Sequence, residues 1–324
     1  MPPSAPPDNS QQRSNTRWLK LLWCWIDSDE NPRVDAQDLR SIDWVRIVPF
    51  VLIHLGCLGV LWVGVSPFAV LLAVGLYLLR MFAITGFYHR YFSHRTFKTS
   101  RWVQALFALI GATAVQRGAL WWSAHHRHHH AHADTADDAH SPITDSFLWS
   151  HMGWFLSRAH FRTRSELIAD WLRFPELRFL DRFDALIPLL FAISLFLLGL
   201  ILESYAPMLR TNGPQLLVWG FFVSTVALYH ATFSINSIAH RWGQRTYDTP
   251  DESRNNPWLA LITLGEGWHN NHHHCPKTVR QGFRWWQFDP TYYLLWLMAQ
   301  LGLVWGLKPI PLEQSPPKSS PRHG

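Results

Sequence analysis

The chain has little cysteine. Its 324 residues include three, Cys24, Cys57 and Cys275, and no CxxC pair. A disulfide framework and a thiolate zinc site are both excluded as organising features. Charge is missing from long stretches. Residues 47–66, IVPFVLIHLGCLGVLWVGVS, contain no Asp, Glu, Lys or Arg, and neither do 185–202 or 214–235. A fourth run, 68–88, is broken only by Arg80. Each is long enough to cross about 30 Å of hydrocarbon as a helix. A mean hydropathy of −0.05 hides this segregation. The pattern is that of an all-α integral membrane protein, not a soluble one.

Other features are absent too. Residues 1–17, rich in Pro, Ser and Gln, lack the charged start and apolar core of a signal peptide and are expected to be disordered, as is 311–324. The segment 18–26, WLKLLWCWI, is too short to span and reads as interfacial. There is no internal repeat, so 18–310 is taken as one membrane domain. The net charge is +6, but cations are scarce in two loops: around Ser66-Pro67 there is none, and 203–213 holds only Arg210. Apart from Arg80, the rest fall before the first span, in 89–184, or after 236. With four spans these regions share one face. The positive-inside rule makes that face, and both termini, cytoplasmic; nucleic acid is not needed to explain the basic balance. Two apolar runs, 102–122 and 291–307, are ambiguous by length alone.

Histidine is abundant. The interior stretch WWSAHHRHHHAHADTADDAHSP, residues 121–142, holds seven of the 19. Six of the others recur in short boxes: His89 with His94 at the end of the second run, His240 with Asn236 at the end of the fourth, and His269, His272 and His273. On a helix, positions i, i+3 and i+4 face one way. His126, His129 and His130 therefore share a face, although His125, His128 and His129 fit the same pattern and periodicity leaves both registers open. His89 and His94, five apart, converge only if the helix ends or bends. The tally is nine imidazoles and one Asn, enough for two metal ions with four or five nitrogen ligands apiece. If 102–122 spanned, His89 and His94 would lie across the membrane from His126–His130. A shared site therefore requires a hairpin or interfacial path.

An all-nitrogen donor set suits Zn, Fe, Cu or Ni. Two metals with open positions at a membrane surface point to oxygen activation, hence a redox metal; iron is the choice. Neutral ligands leave the metal charge uncompensated, which makes the centre electrophilic enough to take hydrogen from an unactivated methylene. Asp134, Asp137, Asp138 and Glu266 are near enough in sequence to orient the rings. His54 and His230 read as span histidines. His125, His128, His132, His151, His160 and His274 read as outer or solvent-facing groups. Arg80, about 13 Å along a helix from His89, is either functional or paired within the bundle.

The boxes resemble those of the membrane fatty acyl desaturases of the stearoyl-CoA desaturase type. HRYFSHR at 89–95, HRHHH at 126–130, NSIAH at 236–240 and GEGWHNNHHHCP at 265–276 carry the likeness, which covers roughly residues 45–305. It implies four transmembrane helices under a cytosolic helical cap. It also implies a centre of two Fe ions on His89, His94, His126, His129, His130, His240, His269, His272 and His273, with Asn236 holding a water. The arginine in HRHHH selects the register beginning at His126. The implied reaction is O2-dependent desaturation of a saturated fatty acyl thioester, with coenzyme A as carrier and a cis double bond near carbon nine. Gln116 and Trp122 match substrate-contacting positions, and Arg158 matches a head-group arginine. Arg117, Ala124 and His125 replace the Asn, Arg and Asp that grip coenzyme A in animal members. No HPGG-type haem segment is present. Electrons are therefore expected from a separate donor: a ferredoxin, a cytochrome b5-like protein or a reductase. Membrane lipid surrounds the chain, and a bacterial inner membrane is the expected location. A hydroxylase or ketolase on the same scaffold is the alternative oxidation. A metal-binding or transport protein is the alternative outside enzymes, but its histidines would have to line a path across the membrane.

Overall fold

The computed structural model describes Trp23, residues 25–28 and residues 40–311. The expectations for 1–17 and 312–324, and Cys24, lie outside the described residues. Among the described residues, four helices are long and apolar enough to cross a membrane. The first, α1, covers Trp44–Val63, and the second, α2, covers Pro67–Ser93. Asp43 caps the start of α1 by accepting from the Val45 and Arg46 amides. Ser66 caps α2 by accepting from the Ala69 amide at 3.1 Å, with Pro67 at the first helical position.

After α2 the chain does not cross back. A short helix, α3 (Arg101–Ala112), starts at the Ser100 cap, turns at 113–118 and leads into α4 (Ala119–His132). Gly111 lets α3 lie directly against α2, since a Cβ there would collide with the Tyr88 ring. The Tyr88 hydroxyl donates to the Ala108 carbonyl at 2.9 Å. The run 102–122 is thus a hairpin, as a shared histidine site requires.

A loop-rich cap segment leads to α5 (Pro175–Arg182), then to the spans α6 (Leu186–Tyr205) and α7 (Gly213–Ser237). The α1–α2 and α6–α7 loops meet at one end. Ser66 donates to the Gln215 side chain at 2.7 Å, and Gln215 donates to the Val63 carbonyl at 3.0 Å. The opposite ends of α2 and α7 carry the histidine boxes. These two spans are central, with 44% and 56% of their apolar windows buried, against 6% for α1 and 17% for α6.

The remainder forms α8 (Pro257–Ile262), α9 (His269–His274) and α10 (Pro290–Gln300). With 11 residues, α10 extends only about 16 Å, too short to span. Strands β1 (Lys98–Thr99) and β2 (Val304–Trp305) pair antiparallel and fasten the last described segment beside the first histidine box.

Candidate metal centre and substrate cavity

Each box reaches the site by a local device. From Ala83 to Ser93, α2 widens to π-helical winding, and the His94 amide donates to the His89 carbonyl at 3.2 Å. Bonding from i to i+5 brings residues five apart onto nearly one face. His89 and His94 therefore converge without the helix ending between them. Arg90, 1% exposed, is held by Glu266 at 3.0 Å and Asp289 at 3.0 Å. Arg127 pairs with both oxygens of Asp170 at 2.9 and 3.0 Å and donates to the Phe92 and Ser93 carbonyls. The arginine of each HR pair thus locks a box to its neighbours.

The short helix α9 is held from its far side. The Asn270 side-chain oxygen Oδ1 accepts from the Thr246 and Tyr247 amides, both at 2.7 Å. Asn271 donates to the Gln281 carbonyl at 2.8 Å. The chain enters α9 through Gly265 at φ +117°, where a Cβ would strike the Asp289 carboxylate. The two asparagines between His269 and His272 are therefore anchors that free the histidines to face inward.

Nine imidazoles gather in two groups. His89, His94, His126, His130 and His272 form one; His129, His240, His269 and His273 form the other. Within each group, one nitrogen per ring lies within 4.8 Å of all the others. Nε2 atoms face each other: His94 and His126 at 2.8 Å, His130 and His272 at 2.9 Å, His89 and His272 at 3.0 Å, and His240 and His269 at 3.0 Å. The carboxylates lie behind the rings, on Nδ1. Glu266 takes His89, Asp138 takes His129 at 3.0 Å, Asp134 takes His240 at 2.8 Å, and Asp251 takes His273 at 2.8 Å. Among the described residues, this leaves the buried His273 Nε2 with no hydrogen-bond partner, and likewise the buried Nδ1 atoms of His269 and His272.

Burial first, then repulsion among the rings, holds His94, His126, His130, His269, His272 and His273 well below the usual histidine range. Neutral imidazole is the form that binds metal. His129 departs from this pattern: burial opposes its charge, but Asp138, Asp134 and Asp251 together raise it. Asp138 is in turn lowered, because His129 and His140 overcome the burial that would raise it. The donor set fits a metal pair: converging neutral nitrogens, each group too crowded for mutual hydrogen bonding to satisfy, with carboxylates fixing the opposite ring nitrogen.

The other expected positions separate. His125 Nε2 meets the Arg162 carbonyl at 3.2 Å, so His126 and not its neighbour enters the cluster. Asp137 is exposed. Asp251, 22 residues from His273 in sequence, was not anticipated, since no spacing signal marks it.

A cavity of about 220 Å³ runs to the cluster, walled by Phe50, Phe155 and Phe233 among others. Gln116, Arg117, Trp122 and Asn236 line it; exposed Arg158 does not. A second, smaller cavity shares Trp122, His126, Thr232 and Asn236 with the first and adds Met81, Ile84 and Thr85. The two meet beside the imidazoles. The Trp122 ring stacks on His126 at 5.0 Å, and Gln116 donates to the Thr232 hydroxyl at 3.1 Å. Arg117 pairs with Asp184, and Arg46 pairs with Asp43 at 3.2 Å.

A family model described as fatty acid desaturase matches residues 61–306. The chain belongs to the fatty acid desaturase family. It is 38% identical over 233 residues to a probable lipid desaturase, chloroplastic, of Arabidopsis thaliana, covering 71% of this chain and 60% of that relative. It is 37% identical over 287 residues to an acyl-CoA 5-desaturase of Anemone leveillei, covering 85% and 84%. It is 35% identical over 268 residues to an sn-2 palmitoyl-lipid 9-desaturase of Nostoc sp. (strain 36), covering 82% and 90%. For this desaturase-family chain, the histidine boxes sit at one end of the central spans and not along a path between their two ends. That arrangement is unlike a transmembrane metal conduit.

Proposed function

We propose that this chain catalyses O2-dependent desaturation of a saturated fatty acyl chain at a di-iron centre. The observation that carries this reading is the convergence of five and four imidazoles beside an apolar cavity. The five-histidine group would hold one ion and the four-histidine group the other, with Asn236 holding a water. Bound there, two iron ions supply dioxygen activation and one-electron redox chemistry. The overall conversion takes two hydrogens from adjacent methylenes, with dioxygen, two electrons and two protons, and yields the alkene and two waters.

The residues of the chain do the rest. Glu266, Asp138, Asp134 and Asp251 hold the rings in position through Nδ1. Phe50, Phe155 and Phe233 exclude water from the acyl chain. Trp122 and Asn236, common to both cavities, border the point where the chain passes the imidazoles. The smaller cavity, with Met81, Ile84 and Thr85, receives the methyl end. Residues 18–310 act as one membrane domain, with the site and both termini on the cytoplasmic side of a bacterial inner membrane. A separate protein delivers electrons. The carrier is coenzyme A and the double bond forms at carbon nine, as the resemblance implies. One relative is named for an acyl-CoA substrate and another for position nine of a lipid-linked chain.

Lipid profiling of an expressing host tests this. New monounsaturated chains are expected; a hydroxylated or keto product in their place assigns the alternative oxidation. Supplying stearoyl-CoA or stearoyl phospholipid to reconstituted membranes tests the carrier, and turnover of the phospholipid alone rejects coenzyme A.

A further inference from the structure

A saturated chain has no polar mark along its length, so the shape of its cavity must decide which methylene pair stops beside the metal centre. One part of the cavity wall is under backbone strain. Val115 sits at φ +58° and Arg117 at φ +68°. A β-branched residue in the left-handed region is held there only when its surroundings over-determine it. Val115, Gln116 and Arg117 all line the larger cavity. The Tyr229 hydroxyl donates to the Val115 carbonyl at 2.9 Å, Thr232 takes the Gln116 side chain, and Asp184 takes Arg117.

Arg80 is the fourth restraint. It lies inside span α2, 1% exposed, and does not line either cavity. Its partners among the described residues are hydroxyls and carbonyls, not carboxylates. It donates to the Thr113 carbonyl at 3.1 Å, the Thr225 hydroxyl at 2.8 Å, the Ser224 hydroxyl and the Leu76 carbonyl at 3.2 Å. Thr113 is the C-terminal cap of α3, the negative end of that helix dipole. A cation placed within a span is costly, and one held there by carbonyls and hydroxyls inside the bundle points to a role. Here it ties the end of the hairpin helix to α7 two residues before the strained position.

We propose that Arg80 is a positioning residue that sets the site of oxidation along the acyl chain by clamping the strained 113–117 turn. This rests on the desaturase reading above. The charge neutralises the end of α3, and the planar fork joins α2, α3 and α7 at one point. Loss of the clamp lets the turn relax, the cavity wall moves, and a neighbouring methylene pair comes to rest beside the metal centre.

The test uses full-length Arg80→Met, Arg80→Lys and the double variant Arg80→Met with Val115→Gly in expressing cells, with chain position of the double bond, or of a hydroxyl, read by mass spectrometry. For Arg80→Met the off-position isomer should rise at least about tenfold, the discrimination that one methylene of pocket fit supplies. Arg80→Lys should restore part of the wild-type isomer ratio. Val115→Gly relieves the strain at φ +58° in place, so combined with Arg80→Met it should bring the ratio back toward wild type; no return overturns strain as the cause of the shift. A single wild-type isomer from Arg80→Met, with activity merely lowered, overturns the proposal. Hydrogen exchange on purified Arg80→Met is read alongside: amides 113–118 should lose protection, and unchanged protection there also overturns it. If wild-type protein oxidises no chain, the desaturase reading fails and the clamp is judged by exchange alone.

Discussion

Two sets of buried and half-buried histidines are arranged on opposite principles among the described residues. In the nine-residue cluster, nitrogens converge and several buried ring nitrogens have no partner. In the second set, His54, His230 and His151 form a line. His54 Nδ1 meets the Phe50 carbonyl at 2.8 Å, and that carbonyl can only accept. His54 Nε2 must then accept from His230 at 3.3 Å, and His230 Nδ1 from His151 at 3.0 Å. His151 Nδ1 in turn accepts from the Ser237 hydroxyl at 2.8 Å. Burial, then the His230 ring, pushes His151 down to about 4, so it carries no charge at neutral pH. Every ring nitrogen in the line is used, and among the described residues no carboxylate bonds to it. Histidine count therefore says little about metal binding; convergence and outer carboxylates distinguish the two sets.

The largest effect expected is at the cluster itself. His129→Ala should abolish unsaturated product and lower metal content while the protein still inserts; undiminished product would falsify the role given to this ring. Next come the carboxylates. Glu266→Gln and Asp138→Asn should weaken metal affinity by about 10- to 100-fold, read by competition with a chelator, since outer partners orient the ligands. Wild-type affinity in both variants would reduce the carboxylates to packing.

A third prediction concerns pH. In the unfolded chain the cluster histidines take up protons as pH falls through about 6.5. In the folded, metal-free protein His94, His126, His130, His269, His272 and His273 resist protonation. The unfolded state then binds more protons, so stability present above about pH 6.5 is lost as pH falls. Thermal melts of metal-stripped protein at about pH 7.5 and about pH 5.5 should show the lower midpoint at the lower pH. A flat profile contradicts the buried neutral cluster. The smallest effect is expected in the linear set. His230→Gln should cost about 1 kcal/mol of stability, the scale of a lost hydrogen bond, and leave metal content unchanged. Loss of metal from His230→Gln would erase the distinction between the two sets.

Within the cluster, legibility followed spacing. His126, His129 and His130 share a face by ordinary helical period, and so do His269, His272 and His273, so their association was visible. The pairing of His89 with His94 was visible as a box, but ordinary helical period does not bring them together; a helix end or bend was expected, and π-helical widening over Ala83–Ser93 does it instead. Asp134, Asp138 and Glu266 stood close enough to the boxes to be noticed. Asp251 did not, because a loop returns it to His273 from elsewhere in the chain.

Apolar runs free of charge, the histidine periods and the Arg and Asn residues within the boxes are local properties, and they sufficed for the membrane class, the four spans and the candidate ligands. Assigning the outer carboxylates, the cavity wall and the partner of Arg80 required contacts between residues far apart in the chain. The Arg80 guanidinium meets hydroxyls 144 and 145 positions away. No window of sequence contains such a contact, because the geometry that satisfies a buried cation exists only after α2, α3 and α7 have packed.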